Sequence, residues 1–246
     1  MTRRFFHWFI PFLTMDPGAS LILSKRMSKM KKENRKNLRW ALGLLAAFLL
    51  WTAAVQTIDV QAIGPQGSKA GFAALNRFVH HMTGVHMALY VITDWLSLVP
   101  LGFAAGFALL GLVQWIRRKS LSQVDHSILV LGGFYIAVIA VYAFFERFVV
   151  NCRPVLIQDV LETSYPSSTT VLVLCVMETA VMQLDSRLSD HAFKRCIISI
   201  MKLFMVLMII GRLISGVHWV TDIIGGILLS EGLVRLYGFV SGTAEK

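Results

Sequence analysis

An arginine, a histidine and an aspartate stand close together near the carboxyl-terminal end of the chain, in the stretch Gly211-Arg212-Leu213-Ile214-Ser215-Gly216-Val217-His218-Trp219-Val220-Thr221-Asp222. A helix running through His218 and Asp222 would bring them to one face, in contact. Arg212 precedes them across Ser215-Gly216, a break at which the chain can reverse direction. Ionisable groups in so apolar a run are costly unless they serve chemistry. The set suits phosphate: a planar guanidinium binds oxyanions, an imidazole attacks, and a carboxylate orients the imidazole. Two earlier stretches could join them. One is Arg153-Pro154; the other is Pro166-Ser167-Ser168-Thr169, whose serines would open a helix and offer free backbone amides to an anion.

These residues need elements to carry them, and the composition says what kind. The 246-residue chain is 56% hydrophobic and 15% charged, with a mean hydropathy of +0.64. Soluble domains carry about 25% charged residues, so this is a membrane protein. Its net charge of +10 then reads as topology and attraction to lipid surfaces, and no basic–aromatic interleaving points to nucleic acid. Cys152, Cys175 and Cys196 are scattered without metal-type spacing. Neither a metal nor another cofactor is expected.

Residues 1–39 read as a basic cytoplasmic arm. Arg3, Arg4 and the aromatic run Phe5 to Phe12 could lie in the membrane interface, and eight Lys or Arg fall between Lys25 and Arg39. A membrane domain over 40–238 follows, then a short cytoplasmic tail, 239–246. Six spans are predicted: Trp40 to Thr57, one within His86 to Ile116, Ser127 to Val150, Pro166 to Leu184, Ile198 to Leu213, and His218 to Leu236. Between the first two, a Gly-Pro-Gln-Gly turn at 64–67 precedes a short interfacial helix over 70–81, with Phe72, Leu75, Phe78 and Val79 at helical spacing. The fold class is therefore all-α, a polytopic membrane protein with six transmembrane helices. Basic residues concentrate before the first span and in two loops on the same side, which puts both termini in the cytoplasm. Arg153, Pro166 to Thr169, Arg212 and His218 then reach the outer face together. Asp94, His80 and His81 are further outer-face groups within reach.

In order and spacing these groups resemble the type 2 phosphatidic acid phosphatase family, integral-membrane lipid phosphatases related to the vanadium haloperoxidases. Its three motifs are Lys-x6-Arg-Pro, Pro-Ser-Gly-His and Ser-Arg-x5-His-x3-Asp. The third is present as Gly211-Arg212, His218 and Asp222. The first has Glu146 in place of Lys before Arg153-Pro154, and the second ends in Thr169 in place of His. The resemblance covers about residues 127–240 and implies an acid-phosphatase/haloperoxidase-like helical core there.

By this resemblance, His218 attacks phosphorus and forms a phosphohistidine, Asp222 holds its other ring nitrogen, and Arg153, Arg212, Ser167 and Ser168 bind the phosphate oxygens. The partners implied are a lipid phosphate or pyrophosphate and the bilayer. The family's second-motif His protonates the leaving oxygen, a contribution of roughly 10²–10⁴-fold. Thr169 cannot do this, which favours a lipid pyrophosphate, whose leaving phosphate is a weak base; a polyprenyl pyrophosphate of a bacterial plasma membrane fits. Glu146, seven residues before Arg153 and expected on the same face of the third helix, is the other candidate acid; the alternative is that it pairs with Arg153 or Arg212. A catalytically silent relative that binds a lipid phosphate is the alternative function, and a phosphoryl transferase using the same histidine is a third.

Overall fold

The computed structural model describes residues 17–242, with side chains from residue 32 onward. Arg3, Arg4, the run Phe5 to Phe12 and residues 243–246 lie outside the described residues. Helix α1 (Pro17–Thr57) is continuous through the expected boundary at residue 40. Pro17 sits where a helix tolerates it best. No further proline occurs before Pro65, and the basic stretch is built of Lys, Arg, Met and Leu, all good helix formers. The basic stretch is thus part of the first membrane helix, whose apolar span is Lys32–Thr57.

A two-stranded hairpin, β1 (Gln61–Ala62) and β2 (Lys69–Ala70), encloses the turn at 65–67. Helix α2 (Ala73–Thr83) follows and corresponds to the predicted interfacial helix. Helices α3 (Met87–Leu96) and α4 (Leu98–Arg118) form the second span with a joint at Ser97. Pro100 lies in the first turn of α4, where a missing backbone N–H breaks no helical bond. Helices α5 (His126–Arg147), α6 (Ser168–Arg187), α7 (His191–Ile214) and α8 (Val220–Ser241) complete the bundle. Among the described residues six segments are long and apolar enough to cross a membrane, so the protein is an integral membrane protein of all-α class.

Helices α6 and α8 are the most enclosed, and α1, α4, α5 and α7 present apolar faces outward. Phe48, Tyr165, Leu174, Met177, Met208 and Tyr237 are buried between them. At one end of the bundle, Asp125 takes Arg118 and Arg187 at 3.1 Å each and the Gln114 amide at 2.9 Å. The Gln114 hydrogen bond, followed by those of the arginines, holds its carboxyl below the usual range. The residues singled out for chemistry collect at the other end.

That end is closed by a tight crossing. Gly216, in the α7–α8 turn, has φ +70, and a Cβ there would lie 2.1 Å from the carbonyl oxygen of Gly84. The turn is tied to α3 by the His86 amide, which donates to the Ser215 carbonyl at 3.0 Å. Gly216→Ala is therefore expected to cost about 2–4 kcal/mol from backbone strain and overpacking. A thermal melt in detergent checks this, with Gly67→Ala as the control: its φ is also positive, but a Cβ there meets nothing within 4 Å.

Candidate active site

Helix α7 ends at Ile214 and α8 begins at Val220, so His218 stands in the connecting turn and not on a helix with Asp222. The expected shared helical face is replaced by a cap. Asp222, in the first turn of α8, accepts the Trp219 backbone N–H at 3.0 Å on Oδ2. The same oxygen lies 3.7 Å from His218 Nδ1. The histidine ends up beside the carboxylate all the same, because the cap folds the turn back over the helix start. Both side chains are buried.

The other ring nitrogen, Nε2, faces two guanidiniums. Arg153 Nη1 is at 3.4 Å and Arg212 Nη2 at 3.5 Å. A guanidinium only donates, so Nε2 presents its lone pair and the ring proton sits on Nδ1, toward Asp222. These contacts are longer than ordinary N–H···N or N–H···O bonds. Two buried cations converge on one neutral nitrogen. Burial is the main reason the His218 pKa is pushed down to about 4; the Asp222 carboxylate, 3.7 Å from Nδ1, opposes it, and the two arginine charges reinforce it. The imidazole is therefore neutral at neutral pH, the form a nucleophile requires.

Each arginine is braced from behind. Arg153 Nε lies 2.8 Å from Glu162 Oε2, and its Nη1 also reaches the Val217 carbonyl at 3.5 Å. Arg212 Nη1 donates to Thr93 Oγ1 at 3.4 Å and lies 4.0 Å from Asp94 Oδ1. The Tyr90 ring faces both guanidiniums, with its centroid 5.1 Å from Arg212 Cζ and 6.0 Å from Arg153 Cζ. Of the outer-face groups noted in the sequence, Asp94 thus reaches the site. His80 packs on Trp219 and contacts the Gly216 carbonyl at 3.2 Å, supporting the turn, while His81 is exposed.

A cavity of about 700 Å³ opens beside this cluster. Arg153, His218, Ser168, Thr169, Glu146 and Glu162 contribute to its polar end, and Val138, Ile139, Tyr142 and Phe145 of α5 with Leu172 of α6 to its apolar flank. Ser167 takes no part in the lining. Its N–H donates to the Asp222 carbonyl at 3.1 Å and its hydroxyl accepts from Thr170 at 3.0 Å. Its position therefore suits joining α6 to α8 better than holding an anion. Ser168 and Thr169 stand in the first turn of α6, where backbone N–H groups have no helical partner.

Glu146 corrects the sequence reading. Helix α5 ends at Arg147, so Arg153 lies on the extended segment beyond it and the two share no helix face. Neither of the pairings expected for Glu146 forms. Arg153 takes Glu162 and Arg212 faces Asp94, while Glu146 accepts from Thr163 Oγ1 at 3.3 Å. It still lines the cavity. Tyr90, Thr93, Asn151 and Glu162 were not anticipated. Asn151 could have been noticed as a lone amide between the apolar Phe148-Val149-Val150 and Arg153. Glu162 sits in an irregular loop with no periodicity to mark it.

Fold and site together define a polytopic helical membrane protein with a buried Arg–Arg–His–Asp cluster at one end of its bundle. Residues 126–241 match the profile of the PAP2 superfamily. The fold is shared with a crystal structure described as the first transmembrane PAP2 type phosphatidylglycerolphosphate phosphatase from Bacillus subtilis. The two are 22% identical with a TM-score of 0.50, over 80% of this chain and 93% of that one. No curated protein matches the chain.

The buried neutral histidine has a consequence for stability. In the unfolded chain it takes up a proton near pH 6.5, but in the fold only near pH 4. Above pH 6.5 both states hold it neutral. As pH falls from 6.5 toward 4 the unfolded state binds the extra proton, and stability is lost. The loss from this group by about pH 5 should be about 2 kcal/mol. Melting curves across that range should show wild type losing more than a His218→Asn variant; equal losses would contradict a buried neutral imidazole.

Proposed function

We propose that this protein dephosphorylates a lipid phosphate, and preferentially a lipid pyrophosphate, at the outer face of the membrane through a phosphohistidine intermediate. One observation carries the reading. Two buried guanidiniums aim at the lone pair of one neutral, carboxylate-backed imidazole, beside a cavity with an apolar flank. An anionic phosphoryl group brought up to Nε2, with the guanidiniums turning from the ring onto its oxygens, would relieve the convergence of like charge and gain charge-assisted hydrogen bonds. The first-turn amides of α6 at Ser168 and Thr169 would add donors. The apolar flank along α5 suits a lipid chain leaving toward the bilayer. The match of residues 126–241 to the PAP2 superfamily profile supports lipid phosphatase chemistry in general.

In the first step, the Nε2 lone pair forms a bond to phosphorus as the bond to the leaving oxygen breaks. The positive charge that develops on the ring is stabilised by Asp222 through Nδ1–H. Arg153 and Arg212 hold the oxygens on which charge accumulates, usually the largest contribution to catalysis. Water then attacks the phosphohistidine, releases phosphate and returns the neutral ring.

The leaving oxygen decides the substrate. Thr169 stands where the family's acid would be, and a threonine hydroxyl is no general acid at neutral pH. A phosphate leaving group departs without that proton far more easily than an alkoxide, hence the pyrophosphate preference. Glu146 is the residue we propose as a substitute acid for monophosphates.

The basic residues of Lys32 to Arg39, Arg117 to Lys119 and Arg187 to Arg195 gather at the end opposite the site. Under the positive-inside rule that end is cytoplasmic, so both termini are cytoplasmic and the site faces outward. A bacterial plasma membrane and a polyprenyl pyrophosphate carrier fit this arrangement.

Phosphate release from one lipid monophosphate and one lipid pyrophosphate in detergent tests the proposal. His218→Ala should reduce both by about 10³-fold or more. Thr169→His should raise monophosphate kcat by about 10²-fold and pyrophosphate kcat much less. Glu146→Gln should lower monophosphate kcat while leaving KM within about threefold. Equal effects of Thr169→His on the two substrates contradict the leaving-group argument. No release from either substrate, with Thr169→His and Glu146→Lys combined, leaves a silent lipid-phosphate binder as the better reading.

A further inference from the structure

The carboxylate behind the histidine is held by groups that the phosphate chemistry does not itself require. Asp222 is fully buried. While Oδ2 takes the Trp219 N–H and faces His218, Oδ1 accepts the side-chain amide of Asn151 at 2.9 Å. Asn151 Nδ2 also reaches Thr221 Oγ1 at 3.4 Å. Thr221 Oγ1 accepts from Asn76 Nδ2 at 3.0 Å, and the Thr221 N–H donates to Asn76 Oδ1 at 3.3 Å. Asn76 belongs to α2 and is anchored through its amide to the Gly71 carbonyl at 2.7 Å. All four residues are essentially excluded from solvent.

The orientation of Asn151 is informative. An ionised carboxylate only accepts, so the Asn151 nitrogen, not its oxygen, must face Asp222. The Asn151 oxygen is left buried without a hydrogen-bond partner. Folded proteins rarely leave such an atom orphaned. The amide is therefore committed to the carboxylate at a cost to itself. The chain of contacts also starts outside residues 126–241, on an interfacial helix with no part in the chemistry.

We infer that Asn151 is a positioning residue that aims the Asp222 carboxylate at His218, and that Asn76 on α2 fixes Asn151 in turn through the Thr221 hydroxyl. By occupying Oδ1, Asn151 leaves Oδ2 as the oxygen turned to the ring. The ring is then held in the tautomer with its proton on Nδ1 and its lone pair on Nε2, the nucleophilic form. Docking of α2 against the start of α8 becomes a condition for activity, although no residue of α2 lines the cavity.

This inference rests on the phosphohistidine reading, and its test uses two readouts, one of which needs no turnover. The variants are Asn151→Ala, Asn151→Asp and Asn76→Ala. Asn151→Asp keeps the shape but sets a carboxylate or its acid against Asp222. For phosphate release from a lipid pyrophosphate, kcat should fall at least tenfold in Asn151→Ala and further in Asn151→Asp. KM and inhibition by vanadate should stay within threefold. Asn76→Ala should lower kcat in the same direction by a smaller factor. The second readout is the ring-nitrogen chemical shift of His218 in ¹⁵N-histidine-labelled protein, identified by its loss in His218→Asn. Wild type should show the proton on Nδ1, and Asn151→Asp a mixture of tautomers. Wild-type kcat and unchanged ring shifts in Asn151→Asp would overturn the inference. So would a loss of melting temperature with kcat intact in all three variants. If wild type releases no phosphate, the functional reading fails, but the ring shifts still decide whether Asn151 positions the pair.

Discussion

Two arginines are buried against one neutral imidazole nitrogen, and the rest of the structure is arranged around tolerating that. Arg153 and Arg212 come from different parts of the chain, the segment after α5 and the end of α7. Like charges so placed repel, and at low dielectric the repulsion is not screened. Glu162 and Asp94 offset it only partly, since both are substantially exposed to solvent. The Tyr90 ring adds a weaker compensation. An oxyanion at this place would offset that repulsion, which is the basis of the function proposed for the site.

The fold supplies the constraints that keep the cluster from relaxing. Four separate contacts fix the α7–α8 turn: Gly216 against the backbone of Gly84, the Ser215 carbonyl to His86, Trp219 to the Cys152 carbonyl at 2.8 Å, and the Asp222 cap. The start of α6 docks on α8 through Ser167, and Gly225 lets the Tyr165 ring approach to within 2.8 Å of where a Cβ would stand. Tyr165 in turn shares a hydrogen bond with Thr52 of α1 at 2.7 Å. The site is thus braced by the bundle on one side and by α2 on the other, leaving the flank along α5 as the open approach.

Much of this was legible in the sequence because membrane helices announce themselves. Runs as apolar as Ser127 to Val150 allow little except a span, and the basic segments between them mark the ends. The spacing of Arg212, His218 and Asp222 marked three residues that the fold does bring together. What the sequence hid was geometry set by irregular backbone. A four-residue spacing suggested a helix for His218 and Asp222, whereas a cap achieves the contact with the histidine off the helix. The same assumption wrongly extended α5 to Arg153. Glu162 and Tyr90 have no partner within hailing distance in the sequence, so only the fold could reveal that they flank the arginines. The long α1 was missed because a dense positive charge was read as an arm, although its residues are strong helix formers.

The central claim is that His218 Nε2 takes the phosphoryl group. It is tested most directly by mixing the protein with a lipid pyrophosphate labelled in the terminal phosphate, quenching early in alkali and mapping the label by mass spectrometry. The account predicts an alkali-stable, acid-labile phosphoryl group on His218, formed before phosphate is released and absent in His218→Ala. Phosphate release without any label on His218, at a rate unchanged by His218→Ala, would contradict it.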